Sequence, residues 1–225
     1  GYDGTTNGAY SFSGSNHTDQ IYFPKPQQDL TKSWTVSIWI YLLTTPSDSV
    51  KQSILSNHFE SEIDITFYDE LRVYTGRKGT TTGHNKYYGP LSTTTVFPLN
   101  TWLHVAITKD VFGEGTTDCE VKFYVNSELK PNTASNSVAT SVVAPSTTNP
   151  FLIGGRPDTK GGTAVKEDRD FNGYLDELKI YDYVLSHDEI KRLYSLNVDP
   201  DSRGIKVKQN GLVGIGIRDP VSKLH

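Results

Sequence analysis

From Trp34 to Tyr41 the chain reads WTVSIWIY, alternating side chains with a period of two. Such alternation suits a strand with one face turned to a core, because successive side chains point to opposite sides. The same period returns at Ala9–Phe12, Gln20–Phe23, Ile63–Phe67, Leu71–Tyr74, Trp102–Thr108, Glu120–Val125, Phe151–Ile153 and Gly173–Tyr181. Polar connectors such as TTPSDS, TGRKGTTTGHN and RPDTKGGTAVKEDRD separate these runs. Short alternating runs without interposed helices predict an all-β, antiparallel sandwich rather than a βαβ fold. The many aromatics (13 Tyr, 9 Phe, 3 Trp) and 19 Gly agree with a strand-rich, turn-rich chain.

One helix is predicted, in LSHDEIKRLYSL. Ser186 is its N-cap, Glu189 completes a capping box, and Ile190, Leu193 and Tyr194 form an apolar stripe at helical spacing. After Tyr194 the character changes. NVDPDSRG reads as a linker, and the Asn210–Gly211 pair between two alternating runs predicts a β-hairpin. The division is therefore a domain over 1–198 and a linker with hairpin tail over 199–225. The tail is too short to bury a core alone, so it must pair with other chains or with further sequence.

Length and composition narrow the partners. A chain of 225 residues buries a sizeable core without disulfides, and the single Cys119 cannot form one within the chain. No apolar run approaches the roughly 18 residues of a membrane span, so no membrane insertion is expected. The net charge is −4 and no Lys/Arg cluster stands out, which argues against nucleic acid. The opening GYDGTTNGAY lacks the basic and apolar regions of a signal peptide. Met is absent, as expected if the native start was removed or the sequence comes from inside a longer polypeptide.

Sequence blocks in order carry a family resemblance. They are GAYSFSGSNHTDQIYF; SWTVSIWIYL with QSILSN; NTWLHVAITKD with VKFYVNSELK; and FLIGGR with FNGYLDELKIYDYVLSHDEIKRLY. Together they resemble the laminin-G-like branch of the concanavalin A-like lectin/glucanase superfamily, which implies a two-sheet jelly roll. GLVGIGIRDPVSKLH resembles a repeat of phage tail fibres and tailspikes. That resemblance implies a homotrimeric fibre in an extracellular or virion setting.

The resemblance also implies candidate sites. In glycoside hydrolase family 16, a strand reading Glu-Ile-Asp-Ile-Glu carries the nucleophile and the acid/base. Here the corresponding residues are Glu62, Asp64 and Thr66. A threonine hydroxyl cannot serve as the acid, and Asp69 stands at an odd offset. The reading is a non-catalytic strand whose acids face solvent. Many laminin-G-like domains hold a structural Ca²⁺ through the Asp of a Gly-x-Ile-Asp-Glu pattern, which maps onto Asp176. In the loop SGSNHTD, the Gly14 carbonyl, Asn16 and Asp19 are its possible partners, with Ser13 where the family often has Asp.

Carbohydrate recognition calls for exposed aromatics beside polar side chains. Tyr87 and Tyr88 in HNKYYGP, read as a loop, are the first choice, with His84, Asn85 and Arg77 near them and Arg156 and Asp158 in a second polar loop. Trp34, Trp39 and Trp102 are read as core, and His104 as structural. The leading function is a non-catalytic adhesion module binding a cell-surface glycan or glycoprotein. The alternatives are a structural or protein-binding spacer and, less favoured, a glycoside hydrolase.

Overall fold

A computed structural model of the chain describes residues 1–4, 6, 8–14, 19–23, 30–57, 63–75, 85–93, 95–112, 119–135, 150–158, 166, 168–198, 205–207 and 213–215. In chain order the strands are β1 (Tyr10–Ser13), β2 (Ile21–Phe23), β3 (Trp34–Leu42), β4 (Gln52–Ser56), β5 (Ile63–Phe67), β6 (Glu70–Thr75), β7 (Asn85–Leu91), β8 (Trp102–Val111), β9 (Cys119–Val125), β10 (Glu128–Lys130), β11 (Thr133–Ser135), β12 (Phe151–Ile153) and β13 (Asn172–Tyr181). Helix α1 (His187–Val198) follows, then β14 (Ile205–Val207) and β15 (Val213–Ile215). Two antiparallel sheets form the sandwich, in the orders β1-β13-β3-β8-β9-β10 and β11-β7-β6-β5-β4-β12-β2. The fold is an all-β jelly-roll sandwich with one short helix. β14 and β15 pair with each other, Ile205 opposite Ile215 and Val207 opposite Val213. The Asn210–Gly211 turn expected between them lies outside the described residues.

The alternation read from the sequence becomes the partition between core and outer faces. Trp34, Val36, Ile38, Ile40 and Leu42 of β3 point inward, as do Leu103, Val105 and Ile107 of β8. Ile63, Ile65 and Phe67 of β5 and Leu71 and Val73 of β6 meet them from the second sheet. Phe67 meets Phe97 edge-on, with centroids 4.9 Å apart. The inward series of β8 ends on a lysine, Lys109, which is fully buried. Its ammonium donates to the Thr31 carbonyl at 2.9 Å and the Leu30 carbonyl at 3.3 Å, which offsets part of the cost of burying a charge.

The outer face of the six-stranded sheet is covered by α1. Its capping box forms as the sequence predicts: the Ser186 N–H donates to Glu189 Oε2 at 2.8 Å, and the Glu189 N–H to Ser186 Oγ at 3.3 Å. Ile190 packs with Leu185, Ala106 and Tyr124. Trp39 is buried on this outer face rather than in the central core. Tyr2 stacks on it at 4.6 Å and Tyr194 at 5.8 Å. Trp102 also belongs to this face and is half-buried, so of the three tryptophans only Trp34 sits between the sheets. His104 lies beneath Tyr194 and shares a 2.8 Å hydrogen bond with Ser37. Burial, with Lys179 nearby, pushes its ring down to about 4, so it is neutral near pH 7. The structural role read for His104 fits this place.

The closing strand β13 carries a bulge between Asp176 and Lys179, where Glu177 takes a φ of 51°. Three residues before the bulge, Gly173 has a φ of 150°, and a Cβ there would lie 2.0 Å from the Tyr41 carbonyl oxygen. That oxygen belongs to the backbone of β3 and cannot swing aside. Gly173→Ala is expected to destabilise the domain by on the order of 3 kcal/mol, read as a lower urea midpoint with an unchanged m-value.

Candidate functional site

On β5 the residues between the core positions, Asp64 and Thr66, face the outside of the seven-stranded sheet, as expected for strand alternation. They do not face solvent. Asp64 and Thr66 are both 0% exposed, and this corrects the reading of the acids as solvent-facing. Arg156 and Arg169, from the connection between β12 and β13, bury this layer. The Arg169 carbonyl accepts from the Ser53 N–H at 3.0 Å, and the Ile54 carbonyl accepts from the Gly154 N–H at 2.9 Å. Thr66 donates to Asp64 Oδ1 at 2.6 Å and shares a 2.8 Å hydrogen bond with Ser53. Arg156 Nη1 lies 3.6 Å from Asp64 Oδ2. A carboxylate held this way has no approach for a glycosidic oxygen or a water. Glu62 lies outside the described residues, while Asp69 is exposed and accepts from the Asp48 N–H at 3.0 Å.

Tyr68, just past β5, gathers cations. The Arg72 guanidinium lies 3.7 Å from its ring centroid, that of Arg169 4.8 Å, and the Lys51 ammonium 5.8 Å. Burial and the neighbouring Arg156 hold Arg169 below the ordinary arginine value. Tyr74 is pushed up, first by burial and then by Tyr68. Lys51 is paired with Asp168 at 3.0 Å.

Toward the β7 edge the layer opens into a groove of roughly 630 Å³, lined chiefly by Glu70, Arg72, Tyr88, Leu91, Pro131 and Asn132. Arg72 is its centre. Nε binds Glu70, Nη2 donates to Asp48 Oδ1 at 3.1 Å, and the guanidinium lies 5.4 Å from the Tyr88 centroid. Burial opposes the charge on Arg72, but the hydrogen bond to Glu70 and its carboxylate charge outweigh burial, so the pKa is raised. A bulge shapes the floor: Glu70 pairs with Leu91 but Arg72 with Tyr88, which leaves Gly89 and Pro90 opposite one β6 residue. A Cβ on Gly89 would meet Phe123 at 2.7 Å.

The residues expected to bind carbohydrate divide sharply. Tyr87 and Tyr88 lie in a strand, not a loop, so alternation sends them to opposite faces. Tyr87 points inward, is 5% exposed, and its hydroxyl lies 2.7 Å from Cys119 Sγ. Tyr88 points outward into the groove. Arg156 is buried against Asp64 and does not reach solvent. Asp158 is exposed, 3.4 Å from Lys166. Asn85 stands in β7 opposite Thr75, while Arg77 and His84 lie outside the described residues. Among the described residues of the expected set, only Tyr88 lines the groove. Glu70, Arg72 and Asn132 were missed, although the ELRVY alternation already opposes Glu70 and Arg72 to Leu71 and Val73.

The described residues expected to bind calcium, Asp176, Asp19 and Gly14, do not gather at one point. Both oxygens of Asp176 accept backbone protons, Oδ1 from the Glu177 N–H at 2.8 Å and Oδ2 from the Tyr2 N–H at 3.3 Å. Asp19 Oδ2 accepts from the Ser13 N–H at 2.9 Å. Ser13 stands opposite Asn172, four positions from Asp176, or about 13 Å along a strand. A coordination sphere with ligands near 2.4 Å does not span that. Gly14 stays at the Asn172 end, and Asn16 lies outside the described residues. Among the described residues no three His, Cys, Asp or Glu side chains gather for a metal, and no helix is long and apolar enough to cross a membrane.

The profile of Laminin_G_3, in the concanavalin A-like lectin/glucanases superfamily, matches residues 13–191. The chain belongs to this family. Solved structures share the laminin-G-like fold at low identity. One is a native heptameric SAP-like pentraxin from Limulus polyphemus, 18% identical with a TM-score of 0.51; the match covers 83% of this chain and 81% of the pentraxin. Another is the botulinum neurotoxin serotype D ligand-binding domain in complex with N-acetylneuraminic acid, 17% identical with a TM-score of 0.52. A third is botulinum neurotoxin type C, whose cell entry is described as dependent on two ganglioside molecules, 12% identical with a TM-score of 0.55. The match covers 83% and 85% of this chain but only 41% and 43% of the two toxin chains. Among curated proteins none matches.

Removing the buried carboxylate tests the layer beneath the groove. Asp64→Ala strips Arg156 and Thr66 of a partner and is expected to cost about 3 kcal/mol in urea denaturation. Adding Arg156→Met should recover part of the loss, because a buried pair replaced by apolar groups leaves no charge behind.

Proposed function

We propose that this laminin-G-like domain is a non-catalytic carbohydrate-recognition module of an extracellular or virion fibre protein. The observation that carries the reading is the β6–β7 groove, where Tyr88 stands beside Arg72, Glu70 and Asn132. A pyranose offers an apolar face for the ring and hydroxyls that both donate and accept for the polar groups. A second aromatic hollow, of roughly 320 Å³ beside Tyr41, Trp102 and Tyr174, has no charged side chain among the described residues that line it to orient hydroxyls, and is the weaker candidate. The buried Asp64, with Thr66 at the acid/base position, supports binding without cleavage. The serotype D toxin structure, solved with a sugar, supports a glycan as ligand class, although its chain is more than twice the length matched here.

A glycan array probed with the intact chain tests the module. Tyr88→Ala should weaken binding at least tenfold, about 1.4 kcal/mol, with an unchanged far-ultraviolet spectrum. Binding that survives both Tyr88→Ala and Arg72→Ala would move the site elsewhere. The fibre context rests on the tail: β14 and β15 form a two-strand sheet of their own among the described residues, and such a sheet needs partners to be stable. Equivalent hairpins of two further copies would supply them and raise weak glycan affinity through avidity. Analytical ultracentrifugation should find a trimer in the whole chain and a monomer once 199–225 are removed.

A further inference from the structure

We propose that the β6–β7 groove selects uncharged saccharides and rejects sialylated, uronic and sulfated ones. The inference rests on the carbohydrate-binding reading and names the ligand class for the same groove. Glu70 and Arg72 are the charged residues among those lining it. Recognition of an acidic sugar would need the guanidinium fork to meet a carboxylate or sulfate in bidentate fashion. That fork is already committed. Nε is held by Glu70, Nη2 by Asp48 at 3.1 Å, and the Tyr68 ring lies against the guanidinium at 3.7 Å.

The charges around the groove point the same way. Two carboxylates converge on one guanidinium, so the Glu70–Arg72–Asp48 triad carries a net negative charge. Asp69 adds another carboxylate, since its Oδ1 accepts from the Asp48 N–H. Among the described residues, Lys51 binds Asp168 at 3.0 Å, and Lys130, next to Pro131 in the chain, binds Glu128 at 2.7 Å. An entering anion would have to displace Glu70 or Asp48 and then lie against the carboxylate it had displaced. The chain's net charge of −4 adds a weaker repulsion at long range. A neutral sugar meets no such penalty. Its hydroxyls can donate to carboxylate oxygens and to the Asn132 amide oxygen, while its carbon-bound face covers Tyr88. The acidic sugar in the serotype D toxin complex is therefore not the expected ligand here.

The test measures the intact chain, at physiological salt, against paired glycans that differ by one sialic acid or one sulfate. The expected result is at least tenfold preference for the neutral member. In Asp48→Asn with Glu70→Gln, which frees Arg72 and removes two negative charges, that preference should narrow or reverse. Asp48→Asn alone should narrow it in part, and its exposed position keeps the fold intact. Equal or better binding of the acidic member by the unaltered chain, abolished by Arg72→Gln, would overturn the inference and leave the recognition module standing. Binding of neither member, across a broad array, would sink the module and the inference together.

Discussion

The pairing of β3 with β8 is the constraint on which the rest of the domain depends. It runs without a bulge from Trp34 opposite Lys109 to Tyr41 opposite Trp102. A slip of one residue would turn Trp34, Val36, Ile38 and Ile40 outward and bring Thr35, Ser37, Trp39 and Tyr41 into the core. Both flanking strands inherit this register, β13 from β3 and β9 from β8. Asn126 and Ser127, with φ of 49° and 65°, then turn β9 into β10 in the two-residue manner that matches the twist of a hairpin.

With the core settled, the two outer faces are put to different uses. The six-stranded sheet is covered in part by α1 and by Tyr2, which together bury Trp39 and keep His104 neutral. The seven-stranded sheet instead carries a polar layer, in which Asp64 meets Arg156 and Thr66, and Arg169 lies over the Tyr68 ring. Burying so much polarity is not a source of stability in itself. It holds Arg72 and its two carboxylates in one arrangement while leaving Tyr88 and Asn132 reachable from solvent. The groove is thus the open margin of a mostly closed polar surface.

Much of this was legible in the sequence where the signal was local. The alternating runs became strands, Ser186 and Glu189 formed their capping box, and the family motifs marked the domain that the Laminin_G_3 profile matches. The candidate sites were less legible. HNKYYGP reads as a loop, yet Gly89 and Pro90 occupy a bulge inside β7, where the ladder tolerates a missing N–H. The loop reading joined Tyr87 and Tyr88, which the strand separates. Asp176 stands in its motif as expected, but its oxygens answer backbone N–H groups, one of the adjacent Glu177 and one of Tyr2, which only the folded chain brings near.

The sequence by itself determined which side chains share a face, because a strand's period of two is a property of its own backbone. It therefore determined the sandwich, the helix and the outward placement of Asp64, Thr66, Glu70 and Arg72. Only the tertiary structure decided which of those outward residues meet solvent. Arg156 and Arg169, roughly a hundred residues away in the chain, close over Asp64 and stop short of Tyr88. Burial depends on what lies above a face, and no periodicity within the strand records it.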